Sequence, residues 1–338
     1  MTRQPDIRDV ADHAGVSVGT VSNVLNRPDL VAAGTRQRVE DAVNALRYVR
    51  NESARQLRRG QSRTIGLIVP DIGNPFFTDV ARGIEDVTSA ADALLIVCDS
   101  DNGADKEERY LTMLAEQQVL GVLHVPVGSP AGAITRLRER GIPLVLLDYK
   151  GASRKQCSVS VNDVAGGEMA VRHLLDIGHK RVGFVGAESK PVPQVVDRLA
   201  GARKAMADRK RPASALVILP TPSLNIAGGI AAARSLLDIA PLRRPTAVSC
   251  VNDLLAIGMM QELLSRGMRI PGDVAVVGYD DIGFAEALAV PLSSVRQPRH
   301  QLGRRAAELL IDEATNEDHR HERVVFEPEL IVRESSNR

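Results

Sequence analysis

From Thr64 onward, short apolar runs alternate with stretches of helical periodicity, and the alternation repeats eight times. The runs lie at 65–69, 94–98, 122–125, 144–147, 182–185, 216–219, 247–251 and 274–277. The helical stretches lie at 75–90, 107–117, 131–140, 164–177, 194–207, 227–237, 254–266 and 301–314. A run that is apolar at consecutive positions is buried on both faces, as a parallel strand covered by helices must be. Repeated β-α alternation builds doubly wound parallel sheets. Eight units exceed one open sheet of ordinary size. The pattern therefore predicts an α/β region of two similar subdomains.

The residues before Thr64 follow a different rule. Ile7, Val10, Ala11 and Ala14 share one helical face, and Gly15-Val16 breaks it. Ser17 suits the N-cap of a second helix with Val21, Val24 and Leu25 inward. Asn26-Arg27-Pro28-Asp29 reads as a loop, and Thr35 as the cap of a third helix with Val39, Val43 and Leu46 inward. Two short helices joined by a glycine turn, closed by a third, describe an all-α helix-turn-helix headpiece. In such a headpiece the second helix enters the major groove. Ser17, Thr20, Ser22 and Asn26 can then donate to phosphates, while Val18, Gly19 and Asn23 point at bases.

Charge argues against nucleic acid only when it is averaged. Lys and Arg number 43 and Asp and Glu 42, a formal charge of +1. Residues 1–63 hold 11 Arg against 7 acidic residues, and 1–49 balance at 6 and 6. The surplus lies in 50–63, where Arg50, Arg55, Arg58, Arg59 and Arg63 face Glu52 alone. Within it, residues 51–57 could form two helical turns, too short to be stable alone in water. That segment is expected to order on binding, with Leu57 as an apolar wedge for the minor groove.

Other chemistry is weakly signalled. The three cysteines, Cys98, Cys157 and Cys250, are far apart, and no C-x-x-C or H-x-x-x-H spacing occurs, so neither a cofactor nor a metal is expected. Gly15-Val16-Ser17-Val18-Gly19 matches a nucleophile elbow, but a helix precedes it where a strand is required. Asp99-Ser100-Asp101-Asn102-Gly103 resembles half a calcium loop, with Gly103 where a ligand is needed. No G-x-G-x-x-G follows a strand, so a dinucleotide enzyme is not supported, and with no context for a nucleophile either, an enzyme is not expected. The N-terminus lacks a signal-peptide core and no run of about 18 apolar residues occurs, which predicts a cytoplasmic protein that is nucleoid-associated when bound to DNA.

Doubly wound sheets bind ligands at the carboxyl ends of their strands. Asp148, Asn252-Asp253 and Asp280-Asp281 fall there, and Arg198 can join them from a helix start. Each alone reads as a helix cap; together they suggest a polar cleft suited to sugar hydroxyls.

These residues resemble the LacI/GalR family of bacterial transcription regulators almost end to end. The resemblance rests on Ile7-Arg8-Asp9-Val10-Ala11, Ala14-Gly15-Val16-Ser17, Thr20-Val21-Ser22 and Val24-Leu25-Asn26. It continues through Ala54-Arg55-Gln56-Leu57, Asn74-Pro75-Phe76-Phe77, Gly178-His179-Lys180-Arg181 and Arg198-Leu199-Ala200-Gly201. Ile270-Pro271-Gly272-Asp273, Gly278-Tyr279-Asp280-Asp281 and Gln297-Pro298 complete it.

The resemblance implies a homodimer on double-stranded operator DNA, gated by a small effector such as a sugar, sugar phosphate or related metabolite. It implies a headpiece over 1–49, a hinge over 50–63 and an effector domain of periplasmic-binding-protein type over 64–338. The N-subdomain would span about 64–160 plus 290–322, and the C-subdomain about 161–289 plus 323–338. It places Ser17, Val18, Gly19, Thr20, Ser22, Asn23, Asn26, Thr35, Ala54, Arg55, Leu57 and Arg58 at the DNA, and Phe76, Asp148, Arg198, Asn252 and Asp280 at the effector. Phe76, Tyr149, Tyr279 and Phe284 are the stacking candidates in a chain with no Trp. Repression of carbohydrate-related genes is the expected role; a sugar-binding protein without DNA function and a hydrolase are the alternatives.

Three positions depart from the family pattern. Asn23 stands where Arg is common; Arg reads G, whereas Asn prefers A, so a different half-site base is expected. Arg50 replaces a common Pro, which is expected to loosen the free hinge and add a phosphate partner. The sequence stops soon after 330–332 without a heptad tail, so a dimer rather than a tetramer is expected.

Overall fold

The computed structural model describes residues 5–49, 62–150, 155–186 and 192–337. Two compact units, Met1–Gln61 and Ser62–Arg338, divide the chain.

In the first unit, α1 (Ile7–Ala14), α2 (Val18–Asn26) and α3 (Ala33–Ala45) enclose Val10, Ala11, Ala14, Val21, Val24, Val39 and Ala42. Asp6 opens α1: its carboxylate accepts from the N–H groups of Arg8 and Asp9, and Asp9 reaches back to the Asp6 N–H. This reciprocal pair satisfies donors that a helix start leaves orphaned. Gly15, at φ 63°, ends the helix in the left-handed conformation that glycine adopts without a Cβ penalty. Ser17 caps α2 as expected. Thr35 does not cap α3. The helix starts earlier, where the Ala32 carbonyl accepts from the N–H groups of Thr35 and Arg36 without help from a side chain.

The second unit contains, among its described residues, twelve strands and eight helices. The strands are β1 (Thr64–Val69), β2 (Leu94–Asp99), β3 (Gly121–His124), β4 (Leu144–Leu147), β5 (Ser158–Val161) and β6 (Val182–Val185). Then come β7 (Leu216–Leu219), β8 (Ala247–Cys250), β9 (Ala275–Asp280), β10 (Ser293–Arg296), β11 (Arg323–Phe326) and β12 (Glu329–Ile331). The helices are α4 (Pro75–Ala90), α5 (Ala104–Glu116), α6 (Ala131–Glu139), α7 (Asp163–Asp176), α8 (Pro193–Asp208), α9 (Ile226–Asp238), α10 (Asp253–Ser265) and α11 (Arg299–Thr315).

Two six-stranded sheets result, ordered β11-β5-β4-β3-β1-β2 and β12-β10-β9-β8-β6-β7. All pairings are parallel except β10 with β12. The doubly wound pair of lobes expected from the alternation is therefore present, and the eight anticipated strands and helices recur with small shifts at their ends. Four strands were not anticipated. β5 and β10 carry Ser158, Ser160, Ser293 and Ser294, so a search for apolar runs passes over them, although these serines are buried. β11 and β12 are short sheet edges that expose Arg323, Val325 and Glu329.

The unanticipated strands relocate the lobe boundaries. β10 belongs to the second sheet and β11 to the first, so boundaries at 290 and 323 are several residues early. The chain crosses between lobes at Val161 to Asp163, at Arg296 to Arg299 and at Phe326 to Glu329.

Candidate DNA-facing helix and ligand cleft

The outward face of α2 is polar because its cap and its amides are arranged locally. Ser17 Oγ accepts from the Thr20 N–H at 3.1 Å and lies 2.9 Å from Thr20 Oγ1. Asn26 Nδ2 donates to Ser22 O at 2.8 Å and to Ser22 Oγ at 3.3 Å. Val21 and Val24 face the core, so Ser17, Val18, Gly19, Asn23 and Asn26 are exposed, with Thr20 and Ser22 half-buried at the flank. The Asn23 amide makes no hydrogen bond with another described residue and is the free hydrogen-bonding end of this face. Thr35 is half-buried on α3. Ala54, Arg55, Leu57 and Arg58 lie outside the described residues.

In the second unit one cleft lies between the lobes, with an empty volume of about 680 Å³ that includes its mouth. Phe76, Asp148, Arg198, Asn252 and Asp280 all line it. Asp148, Asn252 and Asp280 reach it because they lie at or just beyond the carboxyl ends of β4, β8 and β9, where such sheets open their crevices.

Two of these residues hold backbone conformations unusual for a side-chain-bearing residue. Asp148 has φ 48° and Asp280 has φ 105°. A non-glycine residue at φ 105° is strained and persists only where its surroundings hold it. Gln297 is one such support: its Nε2 donates to Asp280 Oδ1 at 2.7 Å. Arg299 adds another by donating through Nη1 to the carbonyls of Asp280 and Asp281.

Arg198 is the buried cation of the cleft. Its Nε donates to Asp163 Oδ1 at 2.7 Å, and its Nη1 donates to Val251 O at 2.5 Å. Burial opposes its charge, but Asp163, Asp280 and Asp148 more than compensate, so it is held firmly protonated. The carboxylates behave differently. Burial raises Asp280 to about 6 against the pull of Arg198 and the Gln297 hydrogen bond. Burial, reinforced by the charge of Asp163, pushes Asp148 well above the ordinary carboxylate range. Asp148 Oδ1 and Gln297 Oε1 are buried and have no hydrogen-bond partner among the described residues.

Comparison with known proteins places this arrangement. Residues 6–51 match the bacterial regulatory proteins of the lacI family, and residues 171–336 match a periplasmic binding protein-like domain. The chain is 35% identical over 332 residues to the HTH-type transcriptional repressor PurR of Photobacterium profundum, covering 97% of this chain and 98% of that protein. The chain belongs to the LacI family.

Solved LacI-family structures share the architecture. One is described as a complex of the transcriptional regulator CelR with cellobiose; it is 32% identical, has a TM-score of 0.72, and covers 98% of this chain and 99% of its own. Another is a LacI family transcriptional regulator from Enterococcus faecium with bound ribose; it is 32% identical, has a TM-score of 0.74, and covers 81% of this chain and 98% of its own.

Within this LacI-family frame the stacking candidates separate. Only Phe76 of the four lines the cleft; it meets Phe77 edge-on, with ring centroids 5.0 Å apart. Tyr279 is fully buried behind Arg198, Tyr149 packs in the first lobe, and Phe284 is 61% exposed elsewhere. Asn252 also serves the fold: its Oδ1 caps α10 through the Leu255 N–H, and its Nδ2 donates to Leu224 O. Sequence reasoning missed Asn74, Gln194 and Gln297, which also line the cleft. Asn74 did carry a signal, as an N-cap before Pro75, and Gln297 stands in the Gln297-Pro298 motif of the resemblance, whereas Gln194 is marked by no local pattern.

Proposed function

We propose that this chain is a ligand-gated transcriptional repressor that binds a pseudo-palindromic operator as a homodimer, and that its effector is a neutral molecule rich in hydroxyl or N–H donors. The observation that carries the ligand class is the pair of unpartnered buried acceptors, Asp148 Oδ1 and Gln297 Oε1, on one cleft. A buried acceptor without a donor is costly, and a ligand hydroxyl removes that cost. An anionic ligand would have to draw on an Arg198 guanidinium of which two of the three nitrogens are already committed within the protein. This favours a sugar or similar metabolite over a sugar phosphate, and Phe76 supplies an apolar face beside the polar groups.

Gating follows from the way the lobes meet. Gln194 of the second lobe donates to Asp148 of the first through Nε2, and Lys150 pairs with Asp197 at 2.6 Å. Arg299, at a chain crossing, holds Asp79 of α4 at 3.0 Å and the β9 end as well. A ligand that replaces or completes these bridges biases lobe orientation about the three crossings, which is hinge-type closure. For dimerisation, β2 is an edge strand that exposes Leu94 and Ile96, a surface that a second copy can cover. In the dimer, two α2 helices would read successive major grooves.

Two experiments test this reading. Selection of random duplexes by the full-length protein should recover an inverted repeat; an unenriched pool counts against an operator. A thermal-shift comparison of cellobiose, ribose and ribose 5-phosphate tests the ligand class. Stabilisation by a neutral sugar and not by the phosphate is expected; stabilisation by the phosphate alone would overturn it.

A further inference from the structure

A second chemical cluster lies in the first lobe among residues that do not line the ligand cleft. Cys157 precedes β5, Glu313 lies near the end of α11, and His319 and His321 sit in the connection from α11 to β11. Cys157 Sγ is 3.3 Å from His319 Nε2 and 3.6 Å from His321 Nδ1. Glu313 Oε2 is 3.9 Å from both imidazole nitrogens. One ligand atom from each of the four residues falls within 4.8 Å of all the others.

Those separations are close to the edges of a metal-centred tetrahedron. With Zn–S near 2.3 Å and Zn–N near 2.0–2.1 Å, the edges of a site with one sulfur come to roughly 3.3–3.6 Å, so both sulfur–nitrogen separations fit and Glu313, at 3.9 Å, closes in by a few tenths of an ångström. Three further observations point the same way. Glu313 Oε2 is buried and has no hydrogen-bond partner among the described residues, so an acceptor faces the centre unsatisfied. His319 Nδ1 is 2.6 Å from Asp312 Oδ2; donation there leaves the Nε2 lone pair directed at the centre, the arrangement by which a carboxylate orients a ligating histidine. The Glu322 N–H donates to Cys157 Sγ at 3.4 Å, as suits a thiolate.

We propose that Cys157, Glu313, His319 and His321 form a zinc site. A thiolate, two imidazoles and one carboxylate in tetrahedral reach are a zinc donor set. The thiolate and the carboxylate together neutralise the dication. Binding takes Cys157 as the thiolate and releases its proton. Four protein ligands leave no open position, so the site is a structural clip rather than a catalytic centre. It ties the connection that leads into β11 to the start of β5, the strand with which β11 pairs in parallel. The expectation of no metal overlooked this cluster because Cys157 is 162 and 164 residues from the two histidines in sequence. The local signal was His319-Arg320-His321 shortly after Glu313.

The test is titration of the full-length, chelator-stripped protein with Co²⁺, followed by Zn²⁺. One equivalent of Co²⁺ should give tetrahedral d–d bands and a thiolate-to-metal charge-transfer band, both abolished by one equivalent of Zn²⁺. Cys157→Ser should lose the charge-transfer band. His321→Gln, at a half-exposed position tolerant of change, should weaken Co²⁺ binding at least tenfold with the far-UV spectrum unchanged. Chelation of the zinc-loaded wild type should lower its Tm. No charge-transfer band in the wild type, or an unaltered band in either variant, would overturn the site. The wild-type band decides alone if Cys157→Ser fails to fold.

Discussion

The Arg198 guanidinium lies 3.7 Å from the ring centroid of Tyr279, and both side chains donate to the same oxygen, Asp163 Oδ1, at 2.7 and 3.0 Å. The stack joins α8 to β9 beneath the ligand cleft. Adjacent glycines in α7 make room for it. A Cβ at Gly166 would lie 2.1 Å from the Tyr279 hydroxyl, and one at Gly167 would lie 2.0 Å from the Arg198 carbonyl oxygen. The buried cation of the cleft is thereby fixed in place before any ligand arrives.

Breaking that pair from one side should be costly. Asp163→Ala takes from a buried guanidinium the carboxylate it is hydrogen-bonded to, a loss of about 3–5 kcal/mol. Replacing both charges, as in Asp163→Leu with Arg198→Met, should recover much of the stability but none of the ligand response. Urea denaturation of the single and double variants checks this; a double variant no more stable than the single one contradicts it.

Asp280 makes stability depend on pH in a predictable direction. Its folded value of about 6 lies above the ordinary value of 3.8, so the native state holds the proton more tightly than the unfolded chain. Stability contributed by the protonated form is therefore present below about pH 4 and is lost as pH rises through about 6. Asp280→Asn should stabilise the ligand-free protein at pH 7 by roughly 3 kcal/mol, while weakening ligand binding. Denaturation midpoints measured between pH 4 and 7 should show a shallower decline in the variant. Asp148 and Asp253, raised by burial as well, keep some slope in place.

Asn23 should set one base of the half-site. Its amide is exposed and makes no hydrogen bond with another described residue, so it is available for the adenine edge. Asn23→Arg should move the preference at that base pair towards G by about 1–3 kcal/mol. Selection on random duplexes reads the change directly; a wild-type half-site carrying G there would refute the assignment.

The arginines of 50–63 should carry most of the long-range attraction to DNA, because 1–49 is neutral by count. Changing Arg55, Arg58 and Arg59 to Gln should flatten the dependence of log affinity on log salt by about 0.9 for each phosphate no longer neutralised. An unchanged slope would place the electrostatics elsewhere.

Edge strand β2 supplies a test of assembly. Ile96→Glu puts a charge on an apolar edge that is 40% exposed in the single chain. Sedimentation should show monomers at concentrations where the wild type is dimeric, with operator affinity falling in step. A variant that remains dimeric would exclude β2 from the interface.

What the sequence made legible was whatever periodicity or a positional rule could reach. Consecutive apolar residues exposed eight strands, the edge strands β2 and β7 among them, and the strand-end rule found Asp148, Asn252 and Asp280 because a doubly wound sheet opens its crevice there. The same search lost β5 and β10, whose buried serines break the apolar run, and with them the true positions of the lobe crossings. Thr35 misled because a hydroxyl near a helix start reads as a cap even when a backbone carbonyl does the work. Gln194 and Gln297 reach the cleft only through tertiary contact. Cys157 meets His319 and His321 only because β5 and β11 are neighbours in a sheet, and no local spacing records that.

The central claim is that occupancy of the cleft changes the hold on DNA. The most direct measurement is the Kd of the selected operator duplex for the full-length protein at fixed salt, by fluorescence anisotropy, with and without a saturating neutral sugar identified by thermal shift. A change of about 5- to 150-fold in either direction is predicted, the ordinary range of coupling between two sites. An operator Kd that stays the same while the cleft is demonstrably occupied would contradict the account.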